Sequence, residues 1–206
     1  MRKKDLLAIF ISFVLLCLLV LITPLEKTLG MNTRLVLFHG ALVWVAITLF
    51  MLAGLAGFYG LIVRRRNIHL WSCALGHTAL LLWLIFLLMS LVVMQVNWNG
   101  LFFAEPRFRI PFNFAVVGLL LQIGLLFLPA LWTSLTNLLF AAALAVSLSQ
   151  AQSVLHPVSP IYNSNTLGIP ICFSGIFLLL LIIGVQLTHL WHDWLKKSFV
   201  KRFTSN

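Results

Sequence analysis

"LVLFHGALVWVAITLFMLAGLAGFYGLIVRRR", residues 35–66, decides what surrounds this chain. No charged side chain interrupts it from Leu35 to Val63, and three arginines then end it. A helix rising about 1.5 Å per residue over that run reaches roughly 43 Å, more than the ~30 Å of hydrocarbon in a bilayer. Lipid offers backbone groups no partner, so a run of this length pairs its own N–H and C=O groups as a helix. Five further stretches carry the same signature: 6–23, 70–96, 112–130, 132–151 and 169–190. The whole chain of 206 residues is 62% hydrophobic and only 9% charged, with a mean hydropathy of +1.08. No water-soluble core hides that much apolar surface. The expected fold is an all-α integral membrane protein, one polytopic domain over 1–206 with six transmembrane helices. The first stretch follows "MRKKD" and imitates a signal peptide. "LVLITPLEK" offers no small-x-small cleavage site, so the expectation is a retained helix.

Charge then orients the bundle. Ten of the fourteen basic residues fall in three clusters: Arg2, Lys3 and Lys4; Arg64, Arg65 and Arg66; Lys196, Lys197, Lys201 and Arg202. With six crossings all three clusters share one side, leaving Lys27, Arg34, Arg107 and Arg109 on the other. The positive-inside rule places both termini in the cytoplasm, in a plasma (inner) membrane. The net charge of +10 is thereby a topology signal and implies no nucleic acid partner. Three loops face outward on this reading: 24–34, 97–111 and 152–168. Inside lie a short loop at 64–69, which holds His69, and a tight hairpin at Pro129–Thr133.

Polar chemistry is scarce enough to sort by hand. Only Asp5, Glu26, Glu105 and Asp193 are acidic, too few for a proton relay or ion pathway. No Ser-His-Asp order, phosphate-cradling glycine loop or H-E-x-x-H motif is present. Cys17, Cys73 and Cys172 stand singly within spans, with no C-x-x-C or C-x-x-C-H spacing, and read as apolar packing residues. Histidines remain. His39 heads the second helix, whose outer end is expected to project above the lipid, and His156 lies in "SVLHPVSPIYNSN", the loop before the sixth. Two outer imidazoles on separate elements, with the aromatic loop "VNWNGLFFAEPRFRIPF" between their helices, suit the two axial positions of a haem. Arg107 or Arg109 would pair with its propionates. The same residues also suit a membrane-interface belt, where half-buried histidines and aromatic rings gather without a ligand. His77, within the third span, and His189, at the inner end of the sixth, form a possible second, inner pair, against which stands simple packing.

Three stretches in order resemble the haem-handling membrane proteins of cytochrome c assembly, the CcmC/CcsA type. The first is the 35–66 helix with its leading histidine and small-residue face. "NGLFFAEPRF" is similar to the tryptophan-rich WWD segment, and "QSVLHPVSPIYNSN" to the segment that carries the second outer histidine. The similarity covers roughly residues 35 to 190. It implies that His39 and His156 ligate haem b from opposite faces. Phe102, Phe103, Glu105 and Arg107 stand where the family has Trp, Trp, Asp and Arg, so the WWD segment is degenerate here. Trp98 is the one tryptophan left in this loop, displaced from the motif's register. The resemblance implies a carrier or chaperone rather than an enzyme, one that presents haem at the outer face to a periplasmic haem or apocytochrome acceptor. Other membrane subunits of a cytochrome c assembly system would be its partners, within the lipid bilayer. Two other roles stay open at this level: a haem-b electron-transfer subunit of a respiratory complex, and a haem-free accessory subunit that keeps the fold.

Overall fold

The computed structural model describes residues 3–125, 127–151, 161 and 166–204, the stretch 199–204 through its backbone alone. Its elements are α1 (Lys3–Ile22), α2 (Asn32–Val63), α3 (Arg66–Trp98), α4 (Pro106–Leu125), α5 (Ala130–Ser149) and α6 (Gly168–Thr204). All six are long and apolar enough to cross a membrane, and the described residues contain no strand. The expected all-α, six-helix, multi-pass architecture is thus the observed one.

Helix α1 lies antiparallel on α6. Gln186 Nε2 donates to Ser12 Oγ at 3.1 Å, and Leu19 and Pro24 pack against Gly175 and Gly168. The start of α1 and the end of α6 therefore lie at one end of the bundle. Arg64, Arg65, Arg66, Lys196 and Lys197 are there too, and we call it the basic end. The other, the far end, holds Lys27, Arg34, Arg107 and Arg109.

Helix boundaries depart from the apolar runs, most often because helices outlast their greasy segments. Residues 64–69 are expected as a loop, but only Arg64 and Arg65 make the turn, Arg64 in the left-handed region at φ 52° with its N–H donating to Gly60 O at 2.8 Å and Arg65 extended. His69 thereby lies on α3 and is buried, not in a loop. At the far end α3 runs on to Trp98 and α4 begins at Pro106, which cuts the expected 97–111 loop to 99–105. Proline suits the first helical position because the N–H it lacks would have no partner there. Pro111 continues within α4, and its carbonyl accepts the Trp83 indole N–H at 2.9 Å. Helix α4 ends at Leu125 rather than 130, and the tight hairpin expected at Pro129–Thr133 closes at Pro129, with Ala130–Thr133 already in α5. Helix α6 continues far past 190, because no glycine or proline follows Gly184 to stop it.

Helix α2 is the hub, packed on α3, α5 and α6. Trp83 is fully enclosed, edge-on to Phe50 at 5.6 Å between centroids, and Phe50 in turn meets Phe140 at 4.9 Å. Nearer the basic end, the small-residue face of α2 lets backbones touch. A Cβ on Gly54 would stand 2.8 Å from Ala141 Cβ, and one on Gly57 would run into the Ser134 carbonyl oxygen. Close approach of this kind drives helix association where lipid removes the hydrophobic incentive. Polar groups seal the same region. His69 Nδ1 meets Ser134 Oγ at 2.7 Å, Ser72 Oγ donates to Ala53 O at 2.9 Å, and Asn137 Nδ2 donates to Ser72 O at 2.8 Å. Between α3 and α6, Thr188 Oγ1 donates to Thr78 Oγ1 at 3.0 Å.

Candidate functional site

At the far end the residues of interest are built on α2, α3 and α4. His39 lies seven residues into α2, about two turns inside the helix start at Asn32. It is half-buried, its ring tilted 32° against Phe86 of α3 at 4.9 Å. His39 is therefore an interhelical histidine, on a helix that begins three residues before its apolar run.

The loop that follows α3 has the opposite character. Asn99 adopts φ 52° and closes the helix, which asparagine tolerates better than most side chains. Phe102 meets Trp98 edge-on at 5.7 Å, and Phe103 leans on Phe108 at 5.6 Å. These rings remain open: Phe102 is 43% exposed and Phe103 57%. Glu105 is buried, and its carbonyl accepts the N–H groups of Phe108 (2.9 Å) and Arg109 (2.8 Å). Its place is the start of α4 rather than the open surface. Arg107 and Arg109 are exposed on that helix's first turn. Exposed aromatic faces beside two guanidinium groups suit a flat apolar molecule that carries carboxylates.

Helix α3 connects the two features, since it packs on both α2 and α4. His39 reaches it at Phe86, and the loop leaves it after Trp98. At 1.5 Å per residue the two levels are offset by roughly 18 Å. His156, the second expected outer histidine, lies outside the described residues. Among the donors described, the imidazole of His39, the open rings of Phe102 and Phe103 and the Arg107 guanidinium are chemically suited to haem.

Toward the basic end, His77 and His189 have different neighbours. His77 packs against Trp191 at 5.2 Å and lies beside Cys73, its Nδ1 3.8 Å from the sulfur. His189 is edge-on to Trp71 at 4.8 Å, and Trp71 stacks on His192 at 4.0 Å. On a helix, residues 189 and 191 project about 200° apart, so a ring that meets Trp191 approaches the opposite side of α6 from His189. No group of three or more histidine, cysteine or acidic side chains able to hold a metal ion occurs among the described residues.

The residues that the sequence reading passed over are the polar ones inside spans: Ser72, Gln122, Ser134 and Asn137. Their signal was polarity itself within an apolar run, which lipid makes costly unless a partner is at hand. Comparison with known protein families, with curated proteins and with solved structures finds no match.

Proposed function

We propose that this protein handles haem for cytochrome c-type biogenesis, holding it in the far half of the bundle and presenting it at the far-end surface. The observation that carries the reading is the open aromatic and arginine-bearing surface of Phe102, Phe103 and Arg107, at the same end as His39. Iron in haem takes imidazole nitrogen as an axial ligand. His39 would supply one such nitrogen and His156 the other. Once the haem has left His39 for the surface, Phe102, Phe103 and Trp98 would pack the macrocycle, and Arg107 would pair with a propionate. Buried Glu105 would act through the fold, by starting the helix that presents Arg107. The axial offset divides the labour. His39 grips within the bundle, and the loop forms the surface from which an acceptor takes the haem. With the basic clusters on the cytoplasmic side of a plasma (inner) membrane, that surface would face an outer-side acceptor.

An absorption spectrum tests this directly. Protein purified from haem-replete cells is expected to show a Soret band, and the His39→Ala and His156→Ala variants are expected to lose most of it. Wild-type haem content in both variants would sink the reading. Haem that survives His39→Ala and titrates reversibly would point instead to a haem-b electron-transfer subunit.

A further inference from the structure

At the basic end a cavity of about 280 Å³ opens between α3, the α4–α5 hairpin and α6, well away from His39. Its rim is apolar and exposed on the flank of the bundle: Leu128 is 49% exposed and Trp194 54%. Its polar groups stand further in. His77 of α3 is eleven residues past Arg66, about 16 Å along the helix, and Gln122 of α4 faces the same space. The Gln122 amide lies within reach of the imidazole, yet the geometry falls short of a hydrogen bond. Its Oε1 is buried and, among the described residues, no group donates to it in hydrogen-bond geometry.

Those features specify a ligand. A buried acceptor without a donor costs about 1–3 kcal/mol, which a hydroxyl arriving with a ligand would recover. A plain acyl chain from the bilayer would not. The exposed rim is apolar, so the ligand that enters across it is a lipid-soluble one. The volume sits near the lower end of small-molecule sites, roughly 300–1,000 Å³, and matches a ring head rather than a macrocycle. Trp194 and the His77 imidazole give that ring flat surfaces to pack against. We propose that this cavity binds the hydroxylated ring of a lipid-soluble quinol, with Gln122 Oε1 accepting from a ring hydroxyl and His77 facing the ring's polar edge. The site is independent of haem and stands whether or not His39 ligates iron.

The test uses the full chain in lipid nanodiscs, titrated anaerobically with decylubiquinol and followed by tryptophan fluorescence. Saturable binding is expected. Gln122→Leu and His77→Phe should each weaken it about tenfold, the scale of one lost hydrogen bond. Leu120→Ala, on the exposed face of α4, should leave it unchanged. Gln122→Leu keeps the test valid should His77→Phe fail to fold. Non-saturable partitioning, or equal affinity in wild type and both cavity variants, would overturn the proposal. Competition by decanol as strong as by the quinol would overturn it too, because decanol carries a hydroxyl without a ring.

Discussion

The two ends of this bundle solve the same problem in opposite ways. Near the basic end, α2, α3 and α5 approach until backbone touches backbone at Gly54 and Gly57, and the buried polar groups of His69, Ser72, Ser134 and Asn137 are bonded to one another or to carbonyls. At the far end the helices outlast their apolar runs, and Phe102, Phe103, Arg107 and Arg109 remain open. Closed polar networks rigidify, whereas open aromatic and charged surface is left for something else to cover. The difference predicts that a substitution in the basic-end network costs more stability than one in the far-end loop.

The sharpest way to break that comparison is to substitute at both ends and read the same unfolding transition. Gly57→Ala adds a methyl that meets the Ser134 carbonyl, which belongs to backbone and cannot swing aside. The expected loss is about 3 kcal/mol, the upper range for overpacking, measured as unfolding in detergent. Phe103→Ala removes far more volume from the open loop, yet should shift unfolding by no more than about 0.5 kcal/mol. Equal losses at the two positions would erase the distinction. A smaller effect refines it. Asn137→Ala removes the bonds to Ser72 O and Oγ, and should cost about 1 kcal/mol, in line with interhelical hydrogen bonds in membranes. A double-mutant cycle with Ser72→Ala should recover only the share of the Oγ bond as coupling, since that variant keeps the Ser72 carbonyl.

Six spans were legible because hydrocarbon thickness imposes a length and an apolarity that few other structures require. Their ends were not, because hydropathy locates the lipid and not the helix. Arg66–Ile68, Pro106–Ile110 and Asp193–Lys197 are helical although polar, charged or proline-bearing, and each was read as lying outside a span. Of the candidate site, the aromatic and arginine cluster could be placed from sequence, since exposure follows from interrupted apolarity. The packing of His39 on Phe86 could not, because it depends on how α2 meets α3. The basic-end network was missed for another reason. His69 pairs with Ser134 and Ser72 with Asn137 across 65 residues each, and only tertiary packing reveals such pairs. The i, i+3, i+6 spacing of Gly54, Gly57 and Gly60 was the available hint.

The far end is not uniformly open, and a knotted turn at Glu26–Thr33 supplies the finest test. Glu26 accepts the backbone N–H of Thr28 at 2.7 Å and that of Leu29 at 2.9 Å, while Thr33 Oγ1 accepts the Glu26 N–H at 2.9 Å. Gly30 closes this turn at φ +53°, where a side chain would be strained. The Leu29 N–H, joined by that of Thr28, holds the Glu26 carboxyl below its ordinary value of 4.5. A carboxylate whose folded pKa is depressed stabilises its turn fully above the ordinary value, and that contribution fades as pH falls through the depressed one. Hydrogen-exchange protection at Thr28 and Leu29 should therefore be constant from neutral pH down to the ordinary value and drop only at more acid pH. Glu26→Gln, a weaker acceptor at every pH, should show reduced protection already at pH 7. The basic-end amides near Asn137 should stay protected throughout. If protection at Thr28 and Leu29 ignores both pH and substitution, the carboxylate does not hold the turn. The far end would then owe its entry into α2 to Thr33 and Gly30 alone.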